Sequence, residues 1–126
     1  MKILLIDDDP VALALCRAVL EKRDYDVITL ESTLGASAVI LREEPRVVVL
    51  DIEMPCLSGD DWLQMLRERK LLGEDNRTAF IFHSGVDVAE LERISRETGA
   101  LGSIPKQGNP LAFADAFERL VEALPT

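Results

Sequence analysis

The stretch ILLIDDDPVA, residues 3–12, contains an abrupt change in polarity from which the fold can be inferred. Four apolar residues run directly into three consecutive aspartates and a proline. The apolar run predicts a buried strand, whereas burying three unpaired carboxylates in the same core would be very costly. The stretch therefore predicts a strand that ends at a polar edge of the fold, where positive charge must balance the aspartates.

The chain as a whole has the composition of one ordered domain. Its 126 residues are 48% hydrophobic and 29% charged, which is typical of a globular domain with its own core. The net charge of −9 disfavours direct binding to nucleic acid or to an anionic membrane. No apolar run approaches the length of a membrane span, and residues 1–6 are too short for a signal peptide. We therefore expect a cytoplasmic protein. We also expect it to be a monomer or a weak dimer.

Strand-like and helix-like segments alternate along the chain. Apolar clustering predicts strands at residues 2–7, 25–30, 46–51, 78–84 and 101–104. Helical spacing and capping residues predict helices that begin at Pro10 and Pro110 or span 32–42, 59–68 and 88–97. The segment RVVVLD, residues 46–51, lacks polar alternation, as in a parallel strand covered on both faces. The pattern predicts an α/β domain with a mostly parallel sheet.

Two further predictions concern how side chains pack. An apolar stripe on the first helix is predicted to face the core, and it consists of Ala12, Leu15, Cys16 and Val19. His83 directly precedes Ser84 in the fourth strand, so their side chains should point to opposite faces of the sheet. We therefore expect His83 to be a packed histidine rather than a ligand.

Polar residues end the predicted strands on which the core depends. In chain order they are Asp7, Asp8, Asp51, Ser84 and, just past the fifth strand, Lys106. Parallel α/β sheets bind their ligands at the carboxyl ends of the strands. These five side chains are therefore expected at one edge of the sheet.

The chemistry of that edge points to phosphoryl transfer. Two carboxylates about 4 Å apart repel by roughly 4 kcal/mol at an effective dielectric constant near 20. Mg²⁺ relieves such repulsion, because it prefers oxygen ligands and commonly binds one or two carboxylates together with waters and a phosphate oxygen. Lys106 adds a cation that can face a phosphoryl group, and Ser84 adds a hydroxyl. Asp51 is the expected nucleophile, because it emerges from a rigid apolar strand.

The same residues make the chain similar, over essentially its full length, to the receiver domains of two-component response regulators. Each motif is weak alone, but the ordered set is specific. The matched positions are the acidic pair Asp7 and Asp8, the acceptor Asp51 in VVLDIEMP with Met54, Pro55 and Gly59 after it, Ser84 followed by Gly85, and Lys106.

The resemblance implies one receiver domain, residues 1–126, with a flavodoxin-like, doubly wound, five-stranded parallel sheet and five helices. It implies that a histidine kinase or a histidine phosphotransfer protein donates phosphate to Asp51, assisted by Lys106 and Ser84. Mg²⁺, or Mn²⁺ as its substitute, would be held by Asp7, Asp8, Asp51 and the backbone carbonyl of Glu53. The domain would then regulate a downstream protein target rather than act as an enzyme on a separate substrate.

Three positions depart from the family pattern. Gln107 follows Lys106 where the family usually has proline, so a cis peptide bond is not expected there. Ser103 stands where the family usually carries an aromatic residue, three places before the lysine. Glu53 lies two places after the acceptor, where side chains lie over the phosphorylation site.

Two alternative functions stay open at this point. Residues 7–11, DDDPV, also fit the opening motif of haloacid-dehalogenase-like phosphatases, with Asp7 as nucleophile and Asp9 as acid/base. That interpretation leaves Asp51 unexplained, and no acidic residue ends a strand after Lys106 to complete its metal site. The second alternative is a pseudo-receiver, a binding module that signals without phosphorylation, which the departures at Ser103 and Gln107 would suit.

Overall fold

Strands and helices alternate along the chain, as predicted. A computed structural model describes residues 1–125, so the last residue of the predicted domain, Thr126, lies outside the described residues. Within that range the elements are β1 (Lys2–Ile6), α1 (Pro10–Glu21), β2 (Asp26–Leu30), α2 (Ala36–Glu43), β3 (Val47–Leu50), α3 (Gly59–Glu68), β4 (Ala79–Ser84), α4 (Val88–Thr98), β5 (Gly102–Pro105) and α5 (Pro110–Val121).

The strands form a single parallel sheet in the order β2-β1-β3-β4-β5. The chain moves outward in one direction from β1 to β2 and in the other from β3 to β5, which is a doubly wound topology. This confirms the predicted fold class. The direction reverses between β1 and β3, where Ile6 pairs with Leu50, and ligands of such sheets bind beyond this switch point.

The sheet is buried on both faces, because β3 alternates its side chains between two apolar layers. Val48 and Leu50 join the cluster formed with α2, α3 and α4, while Val47 and Val49 join the cluster formed with α1 and α5. All four β3 residues are at most 3% exposed. A strand buried on both faces needs no polar alternation, which explains the run VVVL.

Three of the predicted helix starts are stabilised by polar caps. The Asp9 carboxylate accepts the N–H groups of Val11 and Ala12 at the start of α1. The Asp87 and Asn109 side chains do the same for the first turns of α4 and α5. Each cap satisfies backbone donors that a helix cannot satisfy internally.

The predicted start of α2 is wrong by four residues, since the helix begins at Ala36 rather than at residue 32. Gly35 precedes the helix with φ = 75°, and no side chain caps the first turn. A left-handed backbone is easily adopted by glycine, so Gly35 sets the boundary through its conformation rather than through a capping side chain.

The predicted stripe on α1 is only partly correct. Cys16 is buried as expected, but Leu15 is 49% exposed, and the other buried residues of the helix are Leu13 and Leu20. The helix has more apolar residues than its contact with the sheet and α5 can cover.

None of the helices within residues 1–125 combines the length and the apolar character that a bilayer crossing requires.

Candidate functional site

Three carboxylates converge at the carboxyl edge of the sheet. Asp7, Asp8 and Asp51 each place an oxygen within 4.8 Å of the others. Asp7 and Asp51 are 5% and 4% exposed, while Asp8 is exposed to solvent. The predicted cluster therefore forms at the switch point between β1 and β3, with two buried members and one member open to solvent.

Backbone hydrogen bonds orient the two buried carboxylates. The Asp9 N–H donates to Asp7 Oδ1 at 2.9 Å, and the Glu53 N–H donates to Asp51 Oδ1 at 3.1 Å. The Asp51 N–H also donates to the Ile6 carbonyl at 3.1 Å, which extends the pairing of β1 and β3 to the site. One oxygen of each carboxylate is thus fixed, and its Oδ2 atom is available to a cation.

Lys106 bridges the two buried carboxylates. Its Nζ atom lies 2.6 Å from Asp7 Oδ2 and 2.9 Å from Asp51 Oδ2. Burial lowers the pKa of Lys106, but the hydrogen bonds to Asp7 and Asp51 outweigh burial and raise its pKa above the usual value. Burial, joined by the charge of Asp51, raises the pKa of Asp7 despite the bond from Lys106. The lysine is therefore firmly cationic, and Asp7 is a buried carboxylate that added positive charge would stabilise.

Ser84 ends β4 at the same edge. It is fully buried, it pairs with Pro105 of β5, and its carbonyl accepts the Lys106 N–H at 2.9 Å. Its Oγ accepts the Val86 N–H in a long hydrogen bond of 3.5 Å. Because the oxygen is the acceptor in this bond, the hydroxyl proton is free to turn toward another acceptor. Ser84 thus links the backbone of Lys106 to the loop that leads into α4.

His83 occupies the opposite face of the sheet, as predicted. Its ring packs against Phe113 of α5, with the ring centroids 4.6 Å apart. Burial, supported by the charge of Lys106, lowers the pKa of His83 to about 4. The histidine is therefore a neutral, packed side chain at neutral pH and not part of the acidic cluster.

Gly59 makes the tightest backbone approach at the site. A Cβ atom built on Gly59 would lie 2.0 Å from the Asp51 carbonyl oxygen, which no larger residue can accept without movement. The Gly59 N–H also donates to the Ile52 carbonyl at 2.9 Å. In the sequence Gly59 is a match to the family pattern, whereas its steric role depends on this contact with the Asp51 carbonyl.

The three departures from the family pattern have clear structural positions. Within residues 1–125 every peptide bond is trans, including the one after Lys106, as expected with Gln107 in place of proline. Ser103 pairs with Phe82 and is half-buried. The Glu53 side chain is exposed and reaches toward the loop after β4. Its Oε1 atom would lie 3.6 Å from a Cβ atom built on Gly85 in that loop.

The donor set of the cluster fits a hard divalent cation. Three carboxylates face a single ammonium, so an excess of negative charge is left at a partly buried site. Every side-chain donor is an oxygen, which is the ligand type that Mg²⁺ prefers. The fourth predicted ligand, the Glu53 carbonyl, belongs to the residue whose N–H is bound to Asp51.

Known proteins resemble this chain in sequence and in fold. The family described as the response regulator receiver domain matches residues 3–118. The chain is 31% identical over its full length to protein-glutamate methylesterase/protein-glutamine glutaminase 2 of Methanospirillum hungatei JF-1, and 37% identical over 58% of its length to the DNA-binding transcriptional activator EvgA of Escherichia coli K12. It spans 36% of the length of each of these relatives.

A solved structure gives the same result. The BeF3-activated N-terminal receiver domain of Klebsiella pneumoniae RstA superimposes with a TM-score of 0.80 and 28% sequence identity, over 96% of this chain and 98% of that one. A phosphatase assignment leaves Asp9 as the acid/base, yet the Asp9 carboxylate caps α1. The family match and the shared fold, over nearly the whole chain, lead to one conclusion: the protein belongs to the response regulator receiver domain family, a family of regulatory signalling domains.

Proposed function

We propose that residues 1–126 act as one phosphoacceptor switch, in which Asp51 receives a phosphoryl group from a phosphohistidine donor. The observation that carries this proposal is the setting of Asp51. Its carboxylate is buried, one oxygen is held by the Glu53 N–H, and the other lies 2.9 Å from Lys106 Nζ. A nucleophile with a fixed direction and a neighbouring cation is what phosphoryl transfer needs.

In the proposed reaction an Asp51 carboxylate oxygen attacks the phosphorus of the donor. The phosphorus–nitrogen bond breaks as the phosphorus–oxygen bond forms, and the imidazole of the donor leaves with the electron pair. Lys106 moves its hydrogen bond from the carboxylate to the arriving phosphoryl oxygens. The Ser84 hydroxyl donates to another of these oxygens, so that both residues respond to whether Asp51 is modified.

Asp7, Asp8, Asp51 and the Glu53 carbonyl would hold Mg²⁺, or Mn²⁺ in its place. When bound, the cation supplies positive charge that offsets the three carboxylates and the incoming phosphoryl oxygens. Asp8 is the member of the cluster open to solvent, and within residues 1–125 Lys106 pairs with Asp7 and Asp51 but not with Asp8. Asp8 is therefore the carboxylate most available to a cation that arrives from solution.

The proposed partners follow from the family. A histidine kinase or a histidine phosphotransfer protein supplies the phosphoryl group in the cytoplasm, and a downstream protein target recognises the phosphorylated domain. Two relatives are named as a methylesterase and as a DNA-binding activator, so receiver domains of this kind occur with different outputs. With a net charge of −9, this domain is expected to act through a protein rather than through direct contact with nucleic acid.

Incubation with acetyl phosphate and Mg²⁺, followed by intact-mass measurement, tests the proposal. Wild type should gain the mass of one phosphoryl group, and Asp51→Asn should gain none. Asp9→Asn is the matched control, because asparagine preserves the helix cap and the label should remain. A folded wild-type protein that takes no label under these conditions would instead support the pseudo-receiver alternative.

A further inference from the structure

A basic groove runs along the amino-terminal edge of the sheet, opposite the acidic cluster. We use the name basic groove for two adjoining hollows of about 560 and 400 Å³, which share Arg67, Asn76, Thr78 and Phe80. Their cationic lining consists of Arg46 before β3, Arg67 of α3, Lys70 after α3 and Arg77 before β4.

The groove is lined by cations, although the chain as a whole is acidic. The chain has a net charge of −9 with 14 lysines and arginines, and the cations that form ion pairs within residues 1–125 are not among those lining the groove. Within residues 1–125, no carboxylate forms an ion pair with any of the four cations of the groove. Glu74 is the acidic residue in its lining. The groove therefore concentrates four cations, none of them in an ion pair within residues 1–125, beside the acidic residue Glu74.

Two of the arginines are held in place before any ligand arrives. Arg46 donates to the Arg77 carbonyl at 2.8 Å and to the Pro125 carbonyl at 2.9 Å. The Arg67 guanidinium lies 5.7 Å from the centre of the Phe80 ring and donates to the Gly99 carbonyl at 3.4 Å. Ordering these long side chains in advance reduces the entropic cost of binding a ligand.

The lining selects one class of ligand. Guanidinium groups bind phosphate oxygens through paired, charge-assisted hydrogen bonds. A concave groove receives a small molecule better than a flat membrane or a rigid duplex, and the net charge disfavours long nucleic acids. Because the cations are distributed along two adjoining hollows, several linked phosphoryl groups fit better than one. We propose that the basic groove binds a small molecule that carries a polyphosphate chain.

This proposal does not depend on the function of Asp51. The groove lies at the amino ends of β3 and β4, and none of its lining residues belongs to the acidic cluster. Binding there can be measured without Mg²⁺ and without a phosphodonor. The two proposals can therefore fail separately.

The test is a titration of ¹⁵N-labelled protein with sodium tripolyphosphate in the absence of Mg²⁺, followed by NMR. Saturable shifts are expected at the amides of Thr78, Gly99 and Leu101, with little change at Asp51. ATP forms a second arm. Tighter binding of ATP than of tripolyphosphate would mean that the nucleoside adds contacts. Equal binding of the two would mean that the phosphate chain alone is recognised.

Two variants identify the groove as the site. Arg77→Gln, at an exposed position, and Arg67→Lys, which keeps the charge but loses the paired donors, should each weaken binding by about tenfold. Arg119→Gln is the matched control, because Arg119 is an exposed arginine of α5 outside the groove, and it should bind like wild type. Shifts that do not saturate at millimolar ligand, or an equal loss in Arg119→Gln, would overturn the proposal.

Discussion

Lys106 Nζ lies 2.9 Å from Asp51 Oδ2 and uses the same ammonium group to bond Asp7 at 2.6 Å. One lysine thus joins buried carboxylates that follow two neighbouring strands. A divalent cation at the cluster would compete with this ammonium for the same oxygens. Phosphorylation of Asp51 would remove one of its partners and offer phosphoryl oxygens instead.

Replacing Lys106 with alanine should strengthen Mg²⁺ binding. Removing a competing cation leaves Asp7 and Asp51 without their ion-pair partner, and we expect a gain in affinity of about two- to tenfold after solvent screening. Isothermal titration calorimetry at constant ionic strength measures it. Lys22→Ala, at the exposed C-cap of α1, is the control and should match wild type. Weaker Mg²⁺ binding in Lys106→Ala would mean that the lysine supports the metal site rather than competing with it.

Replacing Gly59 with alanine should destabilise the fold and displace Asp51. The added methyl group would lie 2.0 Å from the Asp51 carbonyl oxygen, so either α3 or the end of β3 must move. We expect a loss of about 1–3 kcal/mol in the free energy of unfolding, measured with urea, together with slower labelling of Asp51.

Gly85→Ala is the control for that substitution. The nearest atom to a Cβ at Gly85 is Glu53 Oε1 at 3.6 Å, an ordinary contact. The free energy of unfolding of this variant should therefore stay within about 0.5 kcal/mol of wild type. Equal stability of the two alanine variants would show that the close approach at Gly59 relaxes without cost.

Acid should destabilise the protein partly through His83. Burial lowers the pKa of His83 in the folded protein to about 4, below the ordinary value of 6.5, so the unfolded chain binds a proton more readily. The contribution of neutral His83 is complete above pH 6.5 and is lost as the pH falls toward 4, by about 3 kcal/mol at the end of that range.

A pair of urea titrations isolates this contribution. His83→Leu keeps a similar volume against Phe113 but cannot be protonated. The difference in free energy of unfolding between the two proteins, measured near neutral pH and again near pH 4, should change by about 3 kcal/mol in favour of the variant at the lower pH. The same difference at both pH values would mean that His83 keeps an ordinary pKa.

Phosphorylation should alter the start of α4 more than it alters β5. Ser103 is a half-buried serine beside Phe82, so β5 has no ring at this position to fill the space that Ser84 would leave on turning toward a phosphoryl group. A ligand shifts a conformational equilibrium only by its difference in affinity for the two states. Backbone NMR with beryllofluoride and Mg²⁺ should show shifts concentrated near Asp51, at residues 84–88 and at Lys106.

The control for this route is Ser103→Tyr, which returns an aromatic ring to β5. In this variant the shifts should spread along β5 and into residues 113–120 of α5. Equally large shifts across those regions in wild type, away from the ligand, would show that β5 responds without an aromatic side chain.

Much of the fold can be predicted from the sequence because strand burial and helix capping are local signals. The prediction for residues 59–68 agrees with α3 at both ends, and Asp87 and Asn109 begin α4 and α5 as expected. The start of α2 could not be predicted, because Gly35 acts through its backbone rather than through a capping side chain. The exposure of Leu15 depends on where α5 lies, which helical periodicity alone does not determine.

The composition of the site was predictable, but its charge pairing was not. The rule that ligands bind at the carboxyl ends of parallel strands brings Asp7, Asp51, Ser84 and Lys106 to one edge. Lys106 pairs with Asp7 and Asp51 rather than with Asp8, and this pairing depends on side-chain directions that only the three-dimensional structure provides. The steric role of Gly59 likewise arises from a contact with a carbonyl group.

Chemical mapping of the modified residue determines whether Asp51 itself carries the phosphoryl group. Protein phosphorylated with acetyl phosphate and Mg²⁺ is reduced with borohydride, which converts an aspartyl phosphate to homoserine, and then digested for peptide mass mapping. We expect homoserine at position 51 alone. Homoserine at position 7, or reduction products spread over several aspartates, would contradict it.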